Sequence, residues 1–172
     1  MDELELPDGT LLAVRALERE DKQALKEGIE HLSPDSRYLR FFSPIKGVSA
    51  SQLGYLTTLD HDHHEALVAT EPGADAGIAV ARYVIEDGRP VTAEVAVTVN
   101  DAWQGRGVGT ALLHRLAKHA RARGVARFSA LVLAQNTAML KLIESIGPVV
   151  SRESEDGTVC VVIELDGDER AD

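Results

Sequence analysis

The sequence predicts one α/β (α+β) domain: a sheet of about seven strands flanked by about four or five helices. Three observations lead there. Short runs of alternating apolar and polar residues recur along the chain, bounded by Gly, Pro and Asp. Segments with apolar residues at every third or fourth position lie between them. The longest alternating run, Val91 to Val99, feeds a glycine-rich turn, Gln104-Gly105-Arg106-Gly107-Val108-Gly109, and then a basic amphipathic segment. With 172 residues, 44% of them apolar, the chain suits a single core. We assign that domain to residues 1–165 and expect 166–172 to be a disordered acidic tail.

In chain order, Asp8-Gly9 marks a turn into a strand over Thr10 to Ala16. Arg19 to Leu32 places Ala24, Leu25, Gly28, Ile29 and Leu32 at helical spacing. Ser33-Pro34 opens a second, short helix, because serine satisfies one orphan N–H and proline removes another. That helix carries Tyr38, Leu39, Phe41 and Phe42, expected to pack on the sheet rather than to wall an acceptor pocket. Ser51 to Leu59 sets Leu53, Leu56 and Leu59 on one helical face. Glu65 to Thr70, Gly77 to Ile85 and Val91 to Val99 are strands, the last with valines and Ala93 on one face and Thr92, Glu94, Ala96 and Thr98 on the other. Glu94 is therefore a lone carboxylate on a small, semi-polar face. After the glycine turn comes a helix that Gly124 ends, then a strand over Arg127 to Leu133 and a helix over Asn136 to Ile146. Two closing strands, Val149 to Glu153 and Thr158 to Leu165, follow.

Bulk properties exclude several classes. A net charge of −10 disfavours nucleic acid, whose phosphates reward positive surfaces. No apolar run is long enough to span a bilayer, and the N-terminus is acidic rather than signal-like, so a cytoplasmic protein is expected. Cys160 is the only cysteine, in a valine-rich run that reads as strand, which rules out an internal disulfide. His61-Asp62-His63-His64 lacks the i, i+4 spacing of helical zinc motifs, so a solvated loop and no metal are expected there. The charge is also uneven. No Asp or Glu occurs from Ala102 to Ile143, where Arg106, Arg115, Lys118, Arg121, Arg123, Arg127 and Lys141 lie, which suggests one surface for an anionic ligand and another for a cationic one.

A glycine turn before a helix is chemically specific. The helix start presents unpaired N–H groups and partial positive charge, and glycines let phosphate oxygens approach them. A Walker loop is excluded, because Gly109-Thr110-Ala111 carries no lysine. A dinucleotide fingerprint also fails, since no acid appears before Glu144.

Gln104-Gly105-Arg106-Gly107-Val108-Gly109 resembles the acetyl-CoA motif, Gln/Arg-x-x-Gly-x-Gly/Ala, of the GNAT acetyltransferase superfamily. The order of elements resembles that fold over nearly the whole chain, and implies a mixed, mostly antiparallel sheet. More narrowly, Ala93-Glu94-Val95-Ala96-Val97-Thr98-Val99 with Trp103-Gln104-Gly105-Arg106-Gly107, and Ser33-Pro34-Asp35-Ser36-Arg37-Tyr38, are similar to the catalytic domain of bacterial protein lysine acetyltransferases. The resemblance implies acetyl-CoA as cosubstrate, an amine acceptor that is either a protein lysine or a small molecule, and Glu94 as general base. It implies that Val97, Thr98 and Val99 bind the carbonyl and pantetheine arm, and that Gln104, Gly105, Arg106, Gly107, Val108, Gly109, Thr110 and Asn136 complete the cofactor site. Some of Arg115, Lys118, Arg121 and Arg123 are expected at the remaining phosphate. The cyclic-nucleotide or CoA-ligase-like domains of some members have no counterpart in these residues, and the expected partners, apart from room for a homodimer, are acetyl-CoA and the amine.

One position departs from the family. Many members place a tyrosine in the last helix to protonate the leaving thiolate, and Ile143 stands there. A non-catalytic acyl-CoA sensor is therefore the alternative to an enzyme.

Overall fold

The computed structural model describes residues 2–88 and 91–165; the predicted tail lies outside them. The chain begins with an antiparallel pair, β1 (Asp2–Glu5) and β2 (Leu11–Ala16), and a single 3-10 turn at Arg19–Asp21 leads into α1 (Lys22–His31). Two more helices, α2 (Pro34–Phe41) and α3 (Ala50–Thr57), precede a meander of β3 (His64–Thr70), β4 (Gly77–Ile85) and β5 (Thr92–Val99). Then come α4 (Val108–Ala122), β6 (Arg127–Leu133), α5 (Thr137–Glu144), β7 (Val149–Glu155) and β8 (Thr158–Glu164). The sheet order is β1-β2-β3-β4-β5-β6-β8-β7, and every pairing is antiparallel except β5 with β6.

The sheet has eight strands where about seven are expected. The addition is β1, which turns only Leu4 inward between exposed acids, too short a run to show a period of two. Helix starts follow local chemistry. Ser33 Oγ accepts the Ser36 N–H at 3.1 Å with Pro34 in the first turn, and Ser49 and Gln52 cap each other reciprocally at the start of α3. That box places the start of α3 ahead of the Ser51 expected from its leucines.

Helices cover both faces. On one, Leu112, Leu113 and Leu116 of α4 and Leu140 and Ile143 of α5 meet Val95, Val97, Phe128, Ala130, Val161 and Ile163 of the sheet in the main core. On the other, a smaller cluster of Leu17, Ala66 and Val68 packs with Leu25, Leu59 and Val80. Among the described residues no helix is long and apolar enough to cross a membrane.

Candidate active site

The parallel pairing of β5 with β6 is brief. It joins Thr92 to Arg127, Ala93 to Phe128 and Glu94 to Ser129, and then the strands part, while β5 stays paired with β4 as far as Val99. Backbone alternation decides what faces the gap. The Val91 carbonyl accepts from Ala126 and Arg127 on the β6 side, whereas the Thr92 carbonyl and Asn100 N–H bond to the β4 side. Odd-numbered residues therefore turn their amides toward β6, and beyond the Glu94–Ser129 pair Val97 and Val99 have no strand opposite.

A cleft of about 710 Å³ fills this gap, a size suited to an organic ligand. Its floor is Glu94 to Val99; α2 contributes Leu39, Arg40 and Phe41 to one wall, followed by Phe42, and α5 contributes Met139 and Leu142 to the other. Phe41 and Phe42 thus wall the cleft, contrary to the plain packing role expected of them.

The glycine turn closes one end. Gly105 and Gly107 hold φ of 74° and 84°, a region that glycine enters without a side-chain clash. The first backbone bond at the start of α4 runs from the Ala111 N–H to the Gly107 carbonyl, so the N–H groups of Val108, Gly109 and Thr110 precede the helical ladder. No side chain caps them and no acid lies in the first turn. A methyl group on Gly109 would lie 2.8 Å from Leu142 Cδ1 and 3.3 Å from Val99 Cγ2, so glycine there lets the helix start close to both the floor and the α5 wall of the cleft. These are features that an anionic pyrophosphate fits.

Of the residues assigned to the cofactor from sequence, Val97, Thr98, Val99, Gln104, Gly105, Gly107, Val108, Gly109, Thr110 and Asn136 line the cleft, and Arg106 does not. The Arg106 guanidinium lies 4.2 Å from the Trp103 ring and donates to Asp8 Oδ2 at 2.9 Å and Thr10 Oγ1 at 3.0 Å. Hydrogen bonds from Thr10, and then from Arg106, pull the Asp8 carboxyl down to about 2. Arg115 is likewise held by Asp2 and the Glu3 carbonyl, and Arg123 by the His61 carbonyl and Glu65. Neither lines the cleft, whose cations are Arg40 and Lys141.

Glu94 is the one carboxylate among the described residues of the cleft lining. Its side chain is exposed: Ser129 flanks it on β6, whereas Ala96 and Thr98 further along lie under the helical layer. Ile143 is fully buried and contributes to the cleft wall. None of the three tyrosines lines that cleft: Tyr38 and Tyr55 are exposed, and Tyr83 is in the core, its hydroxyl pushed up to about 12 by burial. Asn136 caps α5, its Oδ1 accepting the Met139 N–H at 3.2 Å.

The histidine loop is solvated at Asp62 and His63, as expected, but built into the fold at His61 and His64. His64 is buried beside the Tyr55 ring, and His61 Nδ1 lies 2.9 Å from Oε1 of the buried Glu65. Asp60 Oδ1 accepts the N–H groups of Asp62, His63 and His64. Among the described residues no three metal-ligating side chains converge.

Sequence reasoning missed a second network. Asp101 accepts from the Ser33 N–H and hydroxyl and from Ser36 Oγ, and Gln104 Nε2 donates to Ser36 Oγ and the Val99 carbonyl, both at 3.1 Å. This ties α2 to the glycine turn. Ser36, Leu39 and Arg40 share one helical face at i, i+3 and i+4, a spacing that marks them as a common surface.

Comparison with known proteins agrees with this geometry. The profile of the acetyltransferase (GNAT) family matches residues 25–147. The acetyltransferase Pat of Mycolicibacterium smegmatis is 38% identical over 133 residues, 77% of this chain and 40% of that protein, so the chain spans about two fifths of that relative. An acetyltransferase of Pseudomonas aeruginosa is 33% identical over 157 residues, 89% of this chain and 83% of that one. The crystal structure of the GNAT domain of S. lividans PAT superposes with a TM-score of 0.86 at 36% identity, covering 95% of this chain and 96% of that domain.

Proposed function

This chain belongs to the GNAT acetyltransferase family, and on that premise we propose that it transfers acetyl from acetyl-CoA to a primary amine, with Glu94 as the general base. A protein lysine is the acceptor favoured by the resemblance of the Glu94 strand and glycine turn to bacterial protein lysine acetyltransferases. The observation that carries the reading is the placement of a single carboxylate on the floor of a cleft whose far end is an acid-free helix start.

Each part of the cleft has a task. The backbone N–H groups from Gly105 to Thr110 suit the pyrophosphate, and the edge of β5 beyond its pairing with β6, at Val97 and Val99, suits the amide-bearing arm. Acetyl-CoA supplies the acetyl group as a thioester, and CoA thiol leaves. The chain must orient the carbonyl and remove a proton from the amine. A lysine ammonium with a free pKa of about 10.4 is charged at neutral pH, and only its neutral form attacks. Glu94 accepts that proton directly or through water, and the exposed position keeps such a water within reach.

The test is Glu94→Gln. We expect turnover to fall by about 10² to 10⁴ while the KM for acetyl-CoA stays within about twofold. Unchanged turnover across the pH range would remove Glu94 from the role of base.

One observation favours a second reading. With Ile143 in the wall and no tyrosine lining the cleft, no phenol stands ready to protonate the sulfur. An acyl-CoA sensor would bind acetyl-CoA tightly and release no thiol against any amine, polyamine or lysine peptide.

A further inference from the structure

Arginines elsewhere in the fold find acceptors. Arg15 grips Asp21 with two bonds, Arg37 donates to the carbonyls of Glu30, Leu32 and Ile45, and Arg127 reaches Glu164. Arg40 is different. Among the described residues its guanidinium makes no ion pair, and its one close partner is the Phe41 ring, 4.9 Å from Cζ. The Arg40 side chain lines the cleft.

A second guanidinium stands behind it. Arg82 is only 7% exposed and donates to the Leu56 carbonyl at 3.1 Å; its other contact is His64 Nε2 at 3.4 Å. The two arginines share a smaller cavity of about 60 Å³, which meets the main cleft at Arg40, Phe41, Ala96 and Thr98. Burial lowers the pKa of both, to about 10 for Arg82, where the charge of Arg40 adds to the effect. Guanidinium nonetheless stays charged, so the pair is an underbalanced positive centre in a poorly solvated place. Two carboxylates, Asp21 and Asp75, line the small cavity, but the first is committed to Arg15 and both act on Arg15 rather than on this pair. The acid that Arg40 does feel is Glu94, across the cleft floor.

We propose that Arg40, backed by Arg82, is an acceptor-recognition site for a carboxylate carried beside the reacting amine. The inference rests on the acetyl-transfer reading. Glu94 takes the amine and Arg40 the acid, so the two side chains present opposite charges matching an amine and a carboxylate on one molecule. The planar fork of arginine suits a carboxylate, and a cavity of about 60 Å³ admits a group of that size rather than a large side chain. The carboxylate has two sources, an acidic residue flanking a peptide lysine or the α-carboxylate of a free amino acid.

Initial rates of CoA release on matched acceptor pairs test this. One pair is a lysine peptide with Glu or with Gln beside the lysine; the other is free lysine or lysinamide. We expect kcat/KM to favour the acid-bearing member of one pair by about tenfold, the pair identifying the source. In Arg40→Gln the ratio should fall to near one, with Arg40→Lys between. Wild-type ratios near one in both pairs, or a ratio that survives in Arg40→Gln, overturn the proposal, and the wild-type ratios decide alone if the variant does not fold. If no amine releases CoA, it is acetyl transfer that fails. Calorimetry of the CoA-loaded protein with acetyl-lysine peptides flanked by Glu or Gln then decides, equal affinities overturning the carboxylate site.

Discussion

Asp101 Oδ1 accepts the Ser36 hydroxyl at 2.8 Å, joining two residues 65 positions apart in the chain. The contact fixes α2, which walls the cleft, to the residues that precede the glycine turn. Burial pushes the Asp101 carboxyl up, but the bonds from Ser33 and Ser36 outweigh it and hold it below the usual carboxylate range. Asp101→Ala should therefore cost about 1 kcal/mol and raise the KM for the acceptor more than that for acetyl-CoA. Thermal melts and steady-state kinetics check it, and an acetyl-CoA effect as large as the acceptor effect would refute the assignment.

Arg106 lies in the glycine turn by sequence and on the β1–β2 turn by contact. Its side chain stacks on Trp103 and pairs with Asp8, so Arg106→Ala should alter Trp103 fluorescence and lower stability by about 0.5–1 kcal/mol. The KM for acetyl-CoA should change by less than about threefold, because the proposed phosphate contacts of the turn are backbone N–H groups. A tenfold rise would place the guanidinium on phosphate instead.

This arginine illustrates what the sequence could and could not reveal. The glycine turn, the strand carrying Glu94 and the helix after Asn136 were legible because each rests on local spacing. The acid-free basic stretch was legible as composition and misleading as surface. Folding brings Asp8 to Arg106, Asp2 to Arg115, Glu65 to Arg123 and Glu164 to Arg127, partners far away in the chain. The short β1 was missed with the acids that it carries. Arg40 was hidden for a related reason: its significance is the absence of a partner, and a sequence displays no pairings.

The His61–Glu65 contact makes a pH-dependent contribution. The hydrogen bond to Glu65, and then the charges of Glu65, Glu18 and Asp60, raise the His61 pKa above 6.5. A raised base stabilises the fold fully below 6.5, and the contribution fades as pH climbs through the folded value. The melting-temperature gap between wild type and His61→Gln should accordingly shrink from about pH 6 to about pH 9. His64 works in the opposite direction: burial lowers its pKa, so its share is lost on the acid side of 6.5. A gap that widens with pH would mean that His61 is held neutral.

Gly109 and Gly147 separate cofactor binding from stability. A methyl group on Gly109 meets the tip of Leu142, a flexible side chain in the cleft wall. Alanine also favours the helix by up to about 1 kcal/mol, so Gly109→Ala should leave the melting temperature nearly unchanged. The displaced Leu142 narrows the cleft, and the KM for acetyl-CoA should rise about tenfold, the equivalent of 1.4 kcal/mol. A methyl group on Gly147 instead meets the backbone carbonyl oxygen of Glu164, whose own N–H is bonded to the Pro148 carbonyl at 2.9 Å. Neither atom can rotate away. Gly147→Ala must shift β8 against the end of α5, costing about 1–3 kcal/mol and lowering the melting temperature by about 2–4 °C for each. The folded fraction should keep its acetyl-CoA KM, because Gly147 lies outside the cleft lining. Should Gly109→Ala melt early while Gly147→Ala binds weakly, the two glycines would have exchanged roles and the cleft wall would be misassigned.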